Sequence, residues 1–189
     1  ALTHLTGELE LYHQFCLENP RAIIELRTKS ANVRALKNLK PLKNFVVSFS
    51  LSPASVAKRI DEKTPSVQAR IKVMKEISDL GHPIAAHFDP IIYQDQFKEL
   101  YQELLISMKE INKDLLYLSL GVVRFTKDVY REVEKNYPDS LIHATSMIKS
   151  FDNKIRYSRP LRNWILQTVF DQAIIQGVAR ERIYLCMED

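Results

Sequence analysis

The chain alternates short apolar stretches with longer amphipathic ones. Four apolar stretches of strand length come first, at residues 22–26, 45–51, 84–92 and 115–123. The segments between them carry apolar residues at helical spacing, most clearly from Val67 to Leu80. Strands and helices that alternate at intervals of roughly 20–35 residues predict right-handed βαβ crossovers and therefore a parallel sheet.

The same pattern predicts the remaining elements of an α/β fold. We predict helices at 7–19, 32–38, 53–62, 64–81, 95–112, 126–137 and 160–177. A basic loop precedes the last of these helices. A shorter strand at Leu141–Ala144 and a final strand at 182–187 complete the pattern. No internal repeat or long linker interrupts it, so we expect a single domain over residues 1–189.

Each of the four early strands turns polar where it ends. The polar residues at these ends are Thr28 and Lys29, Ser48 and Ser50, His87 and Asp89, and Ser119 and Arg124. In parallel α/β proteins the ligand site lies at the carboxyl edge of the sheet. We therefore expect a binding site formed by these strand ends.

Composition excludes several classes of protein. The 189 residues carry a net charge of +4 and two cysteines, Cys16 and Cys186. Two distant cysteines make neither a disulfide framework nor CxxC metal spacing, so a reducing, cytoplasmic location is the default. No apolar run is long enough to span a membrane, and no glycine-rich phosphate loop or GxSxG motif occurs. The start lacks a signal peptide and an initiator methionine, so we expect a fragment or processed form of a longer chain.

The stretch from His82 to Ile92 holds the most distinctive polar group. On a strand, His87 and Asp89 share one face and Phe88 takes the other. A histidine and an aspartate two residues apart can both bind a metal, and His82 could join them after a bend. No third or fourth ligand stands at a matching strand end, so the alternative is a hydrogen-bonded polar strand end.

Other polar or reactive residues have two interpretations each. Lys29 suits an anionic group such as a carboxylate or phosphate, or is a surface lysine at the start of a loop. Ser48 and Ser50 share one strand face. Their hydroxyls have two interpretations: a hydrogen bond to a ribose, or hydrogen bonds to backbone groups of the protein. The two cysteines are best interpreted as buried apolar positions.

A basic segment near the C-terminus interleaves charged and aromatic residues. The stretch "DNKIRYSRPLRNW" contains Lys154, Arg156, Arg159 and Arg162 together with Tyr157 and Trp164. Basic residues among aromatic ones can bind phosphates and stack on bases. A solvated loop and helix start is the alternative interpretation.

Six short motifs run in order along the chain: "ELRTKS", "FVVSFSLSP", "EKTPSVQARI", "GHPIAAHFDPII", "LSLGVVRFTK" and "EKNYP". Their order and spacing resemble the spore photoproduct lyase family, whose members are radical S-adenosylmethionine enzymes of DNA repair. The resemblance covers most of the chain from Ala22 onward. It implies an α/β fold, the later half of a partial (β/α)6 barrel at about 1–138, with a C-terminal α/β extension at 139–189.

The resemblance also implies individual contacts to cofactor and DNA. Lys29 matches the family lysine that contacts the methionine carboxylate of S-adenosylmethionine, and Ser50 matches the serine near its ribose. Asp89 stands where the backbone lies against the adenine. Arg156 and Tyr157 look like the Arg–Tyr pair of the hairpin that binds the DNA lesion.

One family motif is absent, the CxxxCxxC loop whose thiolates hold a 4Fe–4S cluster. Neither Cys16 nor Cys186 can replace it. The resemblance therefore implies that an N-terminal half outside this chain carries the cluster, and that this chain holds no catalytic residue or metal ligand. With that half, the enzyme would reverse UV-induced thymine dimers in DNA. Two alternatives stay open: a radical S-adenosylmethionine enzyme with another substrate, and a non-catalytic nucleic-acid-binding α/β domain.

Overall fold

The computed structural model describes residues 6–140 and 147–187. Its strands are β1 Ile24–Thr28, β2 Phe45–Ser50, β3 Ile84–Ile91, β4 Leu115–Val122, β5 Arg124–Phe125, β6 Met147–Lys149, β7 Ile155–Tyr157 and β8 Ile183–Leu185. Its α-helices are α1 Glu8–Glu18, α2 Ala54–Ile60, α3 Val67–Asp79, α4 Phe97–Ser107, α5 Lys127–Asn136 and α6 Arg159–Ile175. Among these described residues, no helix is long and apolar enough to cross a membrane.

The larger sheet is parallel throughout. Its strand order is β1-β2-β3-β4-β8, and every neighbouring pair of strands is parallel. The first four strands are adjacent in chain order, so the chain winds in one direction. Right-handed crossovers then place the intervening helices on one face of the sheet. This is the winding of a (β/α) barrel, whereas a doubly wound sheet reverses its strand order.

One face of the larger sheet is apolar and packs on the helices. Phe49, Phe88 and Leu118, from three neighbouring strands, have no exposed surface. They share one core with helix residues such as Met74 of α3 and Val169 of α6. Removing this much apolar surface from water is the main term that stabilises the fold. The predicted parallel α/β architecture is confirmed.

The opposite face of the sheet is polar. The side chains that lie there and bond one another include Glu25, Arg27, Ser48, Ser50 and His87. Side chains alternate between the two faces of a strand, so these residues and the core residues are interleaved along the same strands. In a barrel this face is the interior, which branched apolar side chains often fill. Here it carries hydrogen-bonding groups up to the carboxyl edge.

Two predicted elements differ from the structure. The helix predicted at 32–38 is wrong, since only a 3-10 turn forms there, at Leu36–Asn38. The side chains of Ser30 and Asn32 accept bonds from backbone N–H groups two residues further on, which favours turns over a helix. The predicted basic loop contains β6 and β7, and β7 pairs antiparallel with both β5 and β6, in the order β5-β7-β6. The strand predicted at Leu141–Ala144 lies outside the described residues.

Candidate cofactor site

The three strand ends that were predicted to hold a cofactor meet at one place. Lys29 follows β1, Ser50 ends β2 and Asp89 lies near the end of β3. All three line one small cavity of about 10 Å³, together with Pro90. A cavity of that size holds about one water molecule. The tertiary structure therefore brings the three predicted residues together around a space no larger than a water molecule.

A larger cleft opens beside this cavity. Its volume is about 740 Å³, and it shares Lys29, Ile60 and Asp61 with the small cavity. Its other walls come from the end of α2 and from the end of α5 with the residues that follow, including Arg59 and Tyr137. Small-molecule sites usually measure about 300–1,000 Å³. The cleft is therefore large enough for a cofactor, and Lys29 stands at its boundary with the strand ends.

Lys29 is held by an ion pair that leaves it able to bind a ligand. Its Nζ lies 2.5 Å from Asp61 Oδ1, and Arg70 Nη1 donates to Asp61 Oδ2 at 2.9 Å. The side chain of Lys29 is 40% exposed, whereas that of Asp61 is 7% exposed. Because an ammonium group has three donor hydrogens, Lys29 can bond Asp61 and still donate to an anion in the cleft.

Asp89 is held between two arginines. Arg124 Nη1 donates to Asp89 Oδ1 at 3.2 Å, and Arg27 Nη2 lies 3.6 Å from Asp89 Oδ2. Arg27 Nε also donates to Ser50 Oγ at 3.0 Å. Sequence reasoning named Arg124 only as a polar strand end and missed Arg27. The signal for Arg27 was the two-residue period of a strand, which puts it on the same face as Lys29.

Deeper on the polar face, Glu25 accepts several hydrogen bonds. Its Oε1 accepts from Ser48 Oγ at 2.5 Å and lies 2.6 Å from His87 Nε2. Burial alone would raise the pKa of Glu25, but the bonds from Ser48, Tyr117 and His87 outweigh it, and the pKa is lowered. This carboxylate was missed from the sequence, where Glu25 stands among apolar residues.

The imidazole of His87 is buried and favours its neutral form. Burial lowers the pKa of His87, and the charge of Arg27 lowers it further, although Glu25 and Asp89 oppose both effects. Neutral His87 can donate from Nε2 to the Glu25 carboxylate. Within residues 6–140 and 147–187, no three histidine, cysteine or acidic residues come together in a group that could hold a metal. The Nε2 atom of His87 is bonded to the Glu25 carboxylate.

The basic segment supplies β7 of the β6–β7 hairpin, and its two predicted DNA contacts are internal. Tyr157 has no exposed surface, and its hydroxyl accepts from the backbone N–H of Tyr93 at 3.3 Å. Burial raises the pKa of Tyr157 to about 12. Arg156 is buried and pairs with Asp152. Phe151, in the turn of the hairpin, is fully exposed, and sequence reasoning missed it although it stands between polar turn residues.

The winding and the site together define the class of protein. A sheet wound in one direction, with helices on its apolar face and a cleft at its carboxyl edge, is part of a (β/α) barrel. The model of the family described as spore photoproduct lyase matches residues 1–165. The chain belongs to the spore photoproduct lyase family.

Two curated relatives agree with this assignment. The spore photoproduct lyase of a Geobacillus species is 26% identical over 142 residues, which are 73% of this chain and 42% of the relative. The spore photoproduct lyase of Bacillus subtilis strain 168 is 25% identical over 143 residues, with the same shares of 73% and 42%. The aligned part of the chain thus spans less than half the length of these relatives.

Solved structures confirm the fold. Spore photoproduct lyase complexed with dinucleoside spore photoproduct has a TM-score of 0.81 at 20% identity, covering 97% of this chain and 56% of that one. A double mutant of the lyase with bound AdoMet and dinucleoside spore photoproduct has a TM-score of 0.80 at 19% identity, with the same coverage of 97% and 56%. The chain therefore has the fold of part of this barrel.

The residues of the site fit S-adenosylmethionine but not an iron–sulfur cluster. The Lys29 ammonium is suited to a carboxylate, and the Ser50 hydroxyl is suited to a ribose oxygen. A 4Fe–4S cluster requires several thiolates, and the sequence contains two cysteines. Cys16 is buried in the core with α1, and Cys186 follows β8. This chain cannot by itself supply the ligands of a cluster.

Proposed function

We propose that this chain is the part of a radical S-adenosylmethionine enzyme that binds the cofactor and contacts DNA, in a longer protein that repairs UV-induced thymine dimers. The observation that supports this most directly is the meeting of Lys29, Ser50 and Asp89 at one cavity. A cleft of cofactor size beside Lys29 supports it further. Family membership supports the same activity.

Each strand end has one task in this proposal. Lys29 donates to the methionine carboxylate, the Ser50 hydroxyl donates to the ribose, and the backbone at Asp89 lies against the adenine. When bound, S-adenosylmethionine supplies the radical chemistry. The residues of this chain bind and orient it, which keeps its reactive carbon within reach of the substrate. The cluster ligands come from an N-terminal half outside this chain, and the cytoplasmic location stays a prediction.

The β6–β7 hairpin is the proposed contact to DNA. Its exposed Lys149 and the neighbouring Arg159 supply positive charge for phosphates. Phe151 is fully exposed in its turn, and an aromatic ring there can stack on a base that has left the duplex. Arg156 and Tyr157 stay predicted lesion contacts. Their internal bonds suggest that both also support the hairpin.

A radical S-adenosylmethionine enzyme with another substrate is the second candidate. The observation that favours it is the burial of Tyr157, whose hydroxyl is taken by Tyr93. In this arrangement the hydroxyl is not presented to a lesion. The two candidate functions share the cofactor site and differ only in the substrate that the β6–β7 hairpin contacts.

Cofactor binding is tested on the full-length protein, purified without oxygen and with its cluster reconstituted. Equilibrium dialysis against labelled S-adenosylmethionine measures the Kd. We expect Lys29→Met to raise the Kd about tenfold or more, because one charge-assisted hydrogen bond is lost. Lys43→Met is the matched control, since Lys43 is exposed at the opposite end of the sheet, before β2. Equal affinity of Lys29→Met and wild type would refute the role of Lys29.

The substrate is tested with the same protein under reducing, anaerobic conditions. Irradiated DNA that contains the thymine photoproduct is incubated with S-adenosylmethionine, and recovered thymine is measured. We expect recovery that depends on S-adenosylmethionine. Binding of the cofactor without recovery of thymine would favour the second candidate.

A further inference from the structure

The Asp89 carboxylate stands between two guanidinium groups from different strands. Arg124 reaches it from β5 at 3.2 Å and Arg27 reaches it from β1 at 3.6 Å. The side chains of Asp89 and Arg124 are 14% and 16% exposed, so the pair is largely shielded from water. We refer to Arg27, Asp89 and Arg124 as the latch.

Arg27 connects the latch to the neighbouring strand. Its Nε donates to Ser50 Oγ at 3.0 Å, and its Nη2 donates to the backbone carbonyl of Asp89 at 3.3 Å. One planar group on β1 thus bonds the ends of both β2 and β3. Since Ser50 Oγ accepts from Arg27, its own hydrogen stays available to donate to a ligand. Arg27 in this way sets both the position and the direction of the Ser50 hydroxyl.

Gly121 of β4 makes room for the latch. A Cβ atom built on Gly121 would lie 2.7 Å from Asp89 Oδ1 and 2.9 Å from Asp89 Cγ. It would also lie 3.3 Å from Arg124 Nη1. The φ of Gly121 is not in the left-handed region, so the backbone does not require glycine. The space taken by the Asp89 carboxylate requires it.

We propose that the latch is a positioning unit for S-adenosylmethionine, in which Arg27 aims the Ser50 hydroxyl and fixes the Asp89–Pro90 turn. The inference rests on the proposed function, because it assigns a task at the same cofactor site. Arg27 acts through Ser50 and Asp89 and is a positioning residue. The planar guanidinium is required because it donates to Ser50 and Asp89 at the same time. A lysine has the same charge but only one nitrogen atom that can donate.

The test uses the reconstituted full-length protein and the Kd for S-adenosylmethionine from equilibrium dialysis. We expect Arg27→Met and Arg27→Lys to raise the Kd by about tenfold or more, because each loses at least one of the two bridging bonds. Arg21→Met is the control, since Arg21 is exposed and precedes β1. If Arg27→Lys bound S-adenosylmethionine with the wild-type Kd, the charge alone would be sufficient and the positioning role of the latch would be refuted.

Gly121→Ala tests the same inference without touching a polar group. We expect it to displace the Asp89 carboxylate and raise the Kd by a similar factor. A thermal unfolding curve shows whether the variant folds. If it does not, Arg27→Lys decides the matter, because Arg27 is 38% exposed on the edge strand β1 and its replacement leaves the apolar core unchanged.

The outcomes also separate this inference from the proposed function. If wild-type protein binds S-adenosylmethionine and Arg27→Lys and Gly121→Ala bind it equally well, the latch is refuted and the proposed function stands. If wild-type protein does not bind the cofactor at all, both are refuted. Weaker binding in both variants, with the Arg21→Met control unchanged, supports both.

Discussion

The Asp61 carboxylate accepts a 2.9 Å hydrogen bond from Arg70, whose side chain is 1% exposed. Arg70 Nη1 also donates to the backbone carbonyl of Ser50 at 3.1 Å, and Arg70 Nε donates to that of Pro65 at 3.0 Å. One buried guanidinium therefore ties the start of α3 to the end of β2. Asp61 also binds Lys29. The buried Arg70–Asp61 pair therefore holds Lys29 in place at the candidate cofactor site.

We expect Arg70→Met to lower the free energy of unfolding by about 3–5 kcal/mol, because it leaves the Asp61 carboxylate buried with one partner fewer. Urea unfolding of the purified protein measures the change. Arg34→Met is the matched control, since Arg34 is exposed, and its effect should be within about 0.5 kcal/mol. Similar values for the two variants would mean that the buried pair contributes nothing to stability.

The buried histidines make stability depend on pH. Burial lowers the pKa of both His82 and His87 from the ordinary value of 6.5. Between the folded and unfolded pKa values the unfolded state binds more protons, so stability is complete above about pH 6.5 and falls as the pH drops below it. We expect the unfolding temperature to fall between pH 7 and pH 5.

The contribution of the two histidines to this pH dependence is tested with the variants His82→Gln and His87→Gln. Each should flatten the dependence of the unfolding temperature on pH, whatever its effect at pH 7, because the titrating group is gone. The slope between pH 7 and pH 5 is the quantity to compare. An unchanged slope in the double variant would assign the pH dependence to other groups.

The exposed ring of Phe151 is expected to contribute to DNA binding and not to stability. We expect Phe151→Ala to weaken binding of single-stranded or lesion-containing DNA on the order of tenfold, as a stacked aromatic typically does. Fluorescence anisotropy of the full-length protein with labelled DNA measures the Kd. Tyr12→Ala on α1 is the control, since Tyr12 is also an exposed aromatic. Equal losses in both variants would argue against a specific contact at the hairpin.

Tyr157→Phe separates a structural from a recognition role of the hairpin tyrosine. Its hydroxyl bonds the backbone N–H of Tyr93, so we expect the free energy of unfolding to fall by about 1 kcal/mol. If Tyr157 only supports the hairpin, DNA affinity stays at the wild-type value. A loss of DNA affinity without a loss of stability would instead place the hydroxyl at the lesion, as the family resemblance implies.

The sequence by itself predicted the parallel sheet and the strand ends that form the candidate site. Apolar runs and helical stripes are local patterns, and the carboxyl ends of parallel strands must share one edge. For this reason Lys29, Ser50 and Asp89 could be placed among the polar residues of one sheet edge before the fold was known, and the family resemblance singled them out as cofactor contacts. The small antiparallel sheet could not be predicted, because β5 has only two residues and its existence depends on pairing with distant β7.

Only the tertiary structure decided which side chains bond one another at that edge. Arg27 meets Ser50 across 23 positions of the chain and Asp89 across 62, and no local pattern records such a distance. The same holds for burial: Tyr157 and Phe151 stand six positions apart in the β6–β7 hairpin, yet Tyr157 is enclosed and Phe151 is fully exposed. Periodicity determines which face of an element a residue occupies, whereas the packing of separate elements determines what that residue touches.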